Sequence, residues 1–358
     1  MPRRLMLLDT ASLYFRAFYG LPDSIRRPDG TPVNAVRGLL DMIARLSTEY
    51  HATHLVACWD DDWRPQWRVD LIPTYKAHRV AEAVSGGADI EVVPEGLQAQ
   101  LPMIRRVLEL AGIAIVGAAH HEADDVVGTY ASHAGFPVDV VTGDRDLFQV
   151  CDDERAVRVI YTARGMKNLE VITEETVVAK YKVLPQQYAD YATLRGDASD
   201  GLPGVAGIGE KTAASLLLKY GTLEGLLAAA DEPGTGVSAP VRAKLSAASA
   251  YLEVAPAVVR LVGRPPAARH GRPARGTGAA GRRVEPGRLG PPAAGRAGPA
   301  ALTGAVPTGQ CWLRPSVASN NDTSASLKPR ADDAGSTGMT IRFAAGRCVS
   351  GGLNEPIC

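Results

Sequence analysis

Residues 138–146 read VDVVTGDRD: an apolar run of strand length, a glycine, then two aspartates separated by one residue. The run 138–142 has the length and β-branched content of a buried strand, and Asp144 and Asp146 follow it in a loop. Working outward, residues 4–8, 55–59, 113–116 and 157–161 are apolar runs of the same kind. Between them 35–50, 95–111, 122–134 and 145–150 carry helical periodicity. Strands alternating with helices predict an α/β fold with a parallel sheet covered on both faces. Such sheets bind ligands beyond the carboxyl ends of their strands. Asp9, Asp60 and Asp144 each stand just past a predicted strand.

Residues 173–262 change character. Helical patterns cover 173–181, 185–195, 211–220, 223–230 and 240–252, and a strand-like VVRLV closes the segment at 258–262. The chain therefore divides into a core at 1–172, a helical subdomain at 173–262 and a remainder at 263–358. The weakly apolar stretch 75–94 reads as a loop or arch. Beyond residue 262 the composition breaks to Gly, Ala, Pro and Arg, too poor in large apolar side chains to offset the entropy of ordering. A disordered basic tail and a frameshifted reading of a GC-rich gene both fit; the absence of any linker before the break favours the second.

Charge follows the same division. Of 39 basic and 39 acidic residues, 13 and 5 lie in 263–358, leaving 26 and 34 in residues 1–262, a net of −8 for that part. Cysteines stand at 58, 151, 311, 348 and 358 with no CxxC pair. Their spacing argues for a reducing cytoplasm and against a zinc site or a disulfide framework. No apolar run reaches the length of a membrane helix, and the first residues run straight into Asp9 with no room for a signal peptide.

The acids are the chemical signal. EADD supplies Glu122, Asp124 and Asp125; TGDRD supplies Asp144 and Asp146; GDASD supplies Asp197 and Asp200. A helix-start cluster is partly explained by the helix dipole and capping, and a solvated acidic face is the ordinary reading of each. With Asp9 and Asp60 they make nine acids, most in loops or at a helix start. Gathered in space, they could not all stay ionised without cations. Oxygen-only ligation suits Mg²⁺ or Mn²⁺, and two such ions can cleave a phosphodiester. GVAGIGEKTAASLLLKYG, 204–221, places two glycine turns before a helix starting near Glu210. Backbone N–H groups there, with Lys211, could hold a phosphate; a plain helix–turn–helix packing element is the other reading. TYKAHR offers Tyr75, Lys76 and Arg79 to phosphates or a base.

LLDTASLYFRAFYG, YKAHR, EADDVVGT, TGDRDLFQV and GDASDGLPGVAGIGEKTA occur in this order over roughly 4–262. Together they resemble the bacterial 5′–3′ exonuclease/flap-endonuclease family, the nuclease found at the front of DNA polymerase I, here in its stand-alone form. The resemblance implies a PIN-like parallel-sheet nuclease core with a helical arch, then a helix–three-turn–helix DNA-binding subdomain. It implies 5′-end-directed hydrolysis of nicked, flapped or 5′-ended duplex DNA in replication or repair, by a monomer. By motif, Asp9, Asp60, Glu122 and Asp124 serve a first metal, and Asp125, Asp144, Asp146, Asp197 and Asp200 a second or its water shell. Arg16, Lys76 and Arg79 contact the scissile phosphate. Tyr75, Gly204, Gly207, Gly209 and Lys211 belong to the DNA contact, with K⁺ at the 204–211 turn. Two departures stand out: Gly201 replaces the usual Asn, and Asp60 is followed by Asp61 and Asp62. The rival readings are a metal-dependent ribonuclease of related fold and a non-catalytic, structure-selective DNA-binding protein.

Overall fold

Apolar residues on both sides of each strand make a sheet that must be covered twice. In the computed structural model, which describes residues 2–84 and 89–263, the strands are β1 (Leu5–Asp9), β2 (His54–Cys58), β3 (Val80–Glu82), β4 (Ile90–Glu91), β5 (Ala114–Val116), β6 (Val138–Thr142), β7 (Val157–Tyr161) and β8 (Glu170–Ile172). Six form one sheet in the order β5-β2-β1-β6-β7-β8, parallel except for β8. Leu5 and Leu7 of β1 face one layer, while Met6 and Leu8 face the other. One face packs on α1 (Thr10–Gly20), α2 (Asn34–Glu49), α4 (Glu95–Gln98) and α5 (Leu101–Leu110). The other packs on α6 (Ala123–His133) and the helices that follow it.

Strand order reverses between β1 and β6. The chain leaves β1 toward β2 and β5, then returns to β6 on the other side. Register keeps the strand ends level, with Asp9 opposite Cys58 and Leu8 opposite Val141. A crevice opens at such a switch point, at the carboxyl edge. Asp9, Asp60 and Asp144 all emerge there.

Several expectations are refined. Helix α1 starts directly after β1 because the Asp9 side chain caps it through the Ser12 N–H. The expected helix 95–111 is two helices, α4 and α5: Pro102 at the start of α5 cannot donate to the preceding turn. The segment 145–150 is a single 3-10 turn. Strand β8, only three residues long, is an antiparallel edge absent from the sequence reading.

The helical arch is corrected. Among the described residues of 75–94 there is one 3-10 turn at Ala77–Arg79 and the β3–β4 hairpin. Alternating Val80, Glu82, Ile90 and Val92 favour strands over helix. Arg64, near the start of α3 (Gln66–Leu71), holds the base of this hairpin: it donates to the Pro73 and Tyr75 carbonyls and pairs with Asp89.

Downstream come α7 (Glu174–Tyr181), α8 (Tyr188–Arg195), α9 (Glu210–Tyr220), α10 (Leu223–Asp231), α11 (Ala239–Ala247) and α12 (Ser249–Val259). The loop between α8 and α9 doubles back on itself where Gly196 and Gly204 meet; a Cβ on either would strike the other's backbone. The strand expected at 258–262 is instead the end of α12 and an extended exit. That exit is fastened to the core. Arg68 of α3 donates to the Val258 carbonyl, the Gln149 amide oxygen accepts from Leu261 N–H, and Asp125 accepts from Val262 N–H. The compositional break and the expected tail lie outside the described residues except for Gly263.

Arg68 is the centre of this latch, 3% exposed and bonded to Glu122 and to both oxygens of Asp125. Removing one partner of a buried ion pair leaves the others uncompensated. Arg68→Met is expected to lower stability by about 3–5 kcal/mol in denaturant melts; a loss below about 1 kcal/mol, the worth of a surface pair, would contradict the latch.

Candidate active site

The nine acids meet the sheet's carboxyl edge from five segments. Asp9 ends β1 and accepts from Ser12 N–H at 3.2 Å and Thr142 Oγ1–H at 2.6 Å. Burial, with Asp60 and Asp144 nearby and against those two hydrogen bonds, pushes its pKa up to about 7. Asp60 accepts from the Ala123 N–H at the start of α6, at 2.8 Å. Burial again, opposed by that bond and by Lys76, raises its pKa, with Glu122 and Asp125 adding to the rise. Asp61 instead turns to Arg105 on α5, and Asp62 to the Arg64 N–H. The geometry thus separates Asp60 from its two acidic neighbours.

Helix α6 brings Glu122, Asp124 and Asp125. The Asp124 carboxyl is raised well above the ordinary range by burial, then by Asp9 and Asp144. Asp144 follows β6 and accepts from Asp146 N–H at 2.8 Å. Asp146 is raised well above its ordinary value by burial, then by Asp144, Asp200 and Asp197, and its Oδ1 has no hydrogen-bond partner. Asp197 caps the 3-10 turn Ala198–Asp200 and pairs with Arg195 at 2.8 Å. Asp200 is raised by burial and by Asp144 and Glu122, while Lys76 and Arg79 oppose the rise. These couplings run unbroken from Asp60 through Asp9, Asp124 and Asp144 to Asp146 and Asp200.

Three cationic side chains enter this hollow. Lys76, 8% exposed, pairs with Glu122 Oε2. Burial disfavours its charge, yet Glu122, with Tyr75, Asp200 and Asp124, raises its pKa well above that of a free lysine. Arg79 donates to the Ser199 carbonyl and to Asp200. Arg16, on α1, approaches Gly143 at the end of β6. The loop carrying Lys76 is riveted to the one carrying Asp200: Lys76 N–H donates to the Asp200 carbonyl, and Thr74 Oγ1–H to the Gly201 carbonyl. Gly201, in the left-handed region, abuts the Thr74 carbonyl so closely that any Cβ would collide. The departure from Asn thus fits the close approach of these two loops.

Two expectations fail here. Asp125 is fully buried, and its oxygens accept from Arg68, Glu122 N–H and Val262 N–H; it fastens α12 and has no oxygen turned to a metal. Tyr75 is 4% exposed and donates its hydroxyl to Glu122 at 2.7 Å, so it cannot stack on a base. Arg68, which holds Glu122 at 3.0 Å, was missed, because its partners lie more than 50 residues away in sequence. At the hairpin before α9, Gly209 is the N-cap with no side-chain cap, and Lys211 is exposed. Lys244 donates to the Gly207 carbonyl at 2.9 Å, in the turn where K⁺ was expected.

A divalent ion fits the donor set. Among the described residues no three of these side chains converge closely enough to hold one ion as they stand. Lys76 and Arg68 neutralise Glu122 instead, while Asp146 keeps an orphaned buried oxygen. Mutually raised carboxyls lacking a cation are the donor chemistry of a hard metal.

The family model described as 5'-3' exonuclease, N-terminal resolvase-like domain, matches residues 4–182. A second, 5'-3' exonuclease, C-terminal SAM fold, matches residues 183–269. The chain belongs to the 5′–3′ exonuclease family. A 5′–3′ exonuclease of Streptomyces coelicolor is 59% identical over 256 residues, covering 72% of this chain and 85% of that protein. A 5′–3′ exonuclease of Mycobacterium tuberculosis is 51% identical over 264 residues, covering 72% and 83%. The bacteriophage T5 flap endonuclease, solved as a pseudo-enzyme–product complex with DNA and metal ions, shares the fold: TM-score 0.56 at 19% identity, covering 72% of this chain and 89% of that one. No helix of the described residues is long and apolar enough to cross a membrane.

The raised Asp9 pKa has a pH signature in this 5′–3′ exonuclease-family chain. Folded, the group keeps its proton to about pH 7; unfolded, it loses it near 3.8. Between those values the native state binds more protons, so stability falls as pH rises through the window. In the presence of chelator, wild type is expected to lose stability relative to Asp9→Asn from pH 5 to 7.5; parallel curves would contradict the assignment.

Proposed function

We propose that the chain hydrolyses DNA phosphodiester bonds at or near 5′ ends, as a 5′–3′ exonuclease and flap endonuclease acting in replication or repair. The observation that carries this reading is the unbroken chain of mutually coupled carboxyls at the sheet's switch point, flanked by Lys76 and Arg79. Asp9, Asp60, Glu122 and Asp124 would hold one divalent ion, Mg²⁺ or Mn²⁺. Asp144, Asp146, Asp197 and Asp200 would hold a second, directly or through water. Ions so held lower the pKa of a water and neutralise the leaving 3′-oxygen. The metal ions of the T5 enzyme support the same reading.

The chain's own residues supply the rest. Lys76 and Arg79, on a loop fixed by the Asp200 and Ser199 carbonyls, balance the charge that builds on the phosphate. With Glu122 engaged by a metal, the Lys76 ammonium is released toward substrate. Arg68 and Tyr75 keep Glu122 oriented. Residues 1–172 carry the chemistry, and 173–262 grip the duplex through the open N–H groups at Gly209 and the exposed Lys211. Gly204 serves the loop crossing, and at Gly207 a K⁺ ion would share a carbonyl with Lys244. Buried free thiols at Cys58 and Cys151 suit the cytoplasm, and we take the working form as a monomer.

The test is cleavage of a 5′-labelled flap, a nicked duplex and a matching RNA, with and without divalent metal. Short 5′ products from the two DNAs, only with metal, are expected. Asp144→Ala is expected to cut on the order of a thousandfold more slowly, the several kcal/mol a bound metal contributes, with DNA binding kept. Full activity in that variant, or equal cleavage of RNA, would overturn the proposal.

A further inference from the structure

Behind the carboxylates, at the ends of β1, β6 and β7, lies a group of donors that the acid site does not use. Gly143 is its centre. Its N–H donates to Ser12 Oγ at 2.9 Å, which leaves the Ser12 hydroxyl proton free. A Cβ built on Gly143 would stand 2.8 Å from Ser12 Oγ, 3.4 Å from Arg16 Nη2 and 3.5 Å from Thr162 Oγ1. Three polar groups therefore converge on the side of the backbone that the missing side chain leaves open. Two of them carry orphaned atoms. Thr162 is fully buried and its hydroxyl has no hydrogen-bond partner; Arg16 Nε is buried and has none either.

Buried polar groups are nearly always satisfied, and an orphan calls for an explanation. Here the orphans share one chemistry. Serine and threonine hydroxyls can donate, and the guanidinium can only donate and carries a fixed positive charge. No carboxylate takes up the Arg16 Nε–H, though Asp144 is the very next residue after Gly143. Donors around a cation, with no acceptor assigned, form an anion site. Its position narrows the anion. Ser12 N–H holds Asp9, and Thr142 links Asp9 to the Asp144 N–H, so the pocket lies one hydrogen bond from two proposed metal ligands.

We propose that Ser12, Arg16 and Thr162, around Gly143, form a phosphate subsite that holds a DNA phosphate next to the scissile one. The inference rests on the nuclease reading above. The phosphate is either the terminal monoester of a 5′ end or the internal diester one nucleotide along. Both present oxygens to the same donors, and Gly143 is the residue that leaves them room. Ser12 and Thr162 are binding residues for the substrate backbone, and Arg16 acts here beside the scissile phosphate.

Equilibrium binding tests this, with Ca²⁺ replacing Mg²⁺ so that the hard-oxygen sites are filled while turnover is slowed. The full chain and Thr162→Val are each titrated with three nicked duplexes: one with a 5′-phosphate, one with a 5′-hydroxyl, and one with a neutral methylphosphonate at the internal position. Loss of one hydrogen bond to a charged group is expected to weaken binding about tenfold. If the occupant is the terminal phosphate, the loss is confined to the 5′-phosphorylated DNA. If it is the internal diester, the loss appears with both end groups and vanishes with the methylphosphonate. Because Thr162 Oγ1 has no partner, Thr162→Val is expected to melt at or above the wild-type temperature. Gly143→Ala, whose methyl would fill the opening, should reproduce the binding loss and guards against a folding defect in the first variant. Unchanged binding of all three DNAs by both folded variants would mean that the pocket holds only water, and would overturn the proposal. Failure of the wild-type enzyme to cut any DNA in Mg²⁺ would instead defeat the nuclease reading while leaving the binding comparison intact.

Discussion

Carboxyl groups crowded into a partly dry hollow cannot all carry their charge unless something positive lies among them, and the architecture around the sheet's carboxyl edge is arranged by that requirement. Burial raises Asp9, Asp60, Asp124, Asp146 and Asp200, and neighbouring carboxylates add to the rise at each. In the protein alone the relief comes from protons and from Lys76, Arg68 and Arg79. The net −8 of residues 1–262 stops being an objection to DNA binding once cations are counted as part of the site.

The scaffold that sustains this crowding is built from long-range contacts. Arg68 joins α3 to α6 and to the exit of α12, so the last described residues reach back to Glu122 and Asp125. Arg64 fixes the base of the β3–β4 hairpin, and Gly201 lets the Lys76 loop pack on the Asp200 loop. Positive side chains are thereby held within reach of substrate without being exposed to solvent. One face of the hollow is supplied by the sheet core, the other by the helical segment.

Much of this was readable in the chain. Five parallel strands were marked by runs of apolar residues too short for helices, and each site aspartate was marked by its place just past a strand. The switch point itself was not marked, because strand order depends on pairing between runs far apart in sequence. The roles of Asp125 and Tyr75 were misread for a related reason. EADD and TYKAHR place suitable chemistry side by side, but only the fold shows that Arg68 claims Asp125 and that Glu122 claims the Tyr75 hydroxyl. The arch was read as helical by family resemblance, whereas local β-branched residues at 80 and 92 favour a hairpin. The Ser12–Arg16–Thr162 pocket gave no signal in sequence, since its members come from three segments and only Arg16 belongs to a recognised role.

If protons and metal ions are alternative occupants of the same carboxylates, then binding metal must expel protons. Calorimetric titration of the full chain with Mg²⁺ near pH 7, repeated in buffers of different ionisation enthalpy, measures that exchange directly. The account predicts release of about one proton or more per protein, falling as pH rises above the range where Asp9 titrates. Metal binding with no proton release across that range, or no metal binding at all, would contradict it.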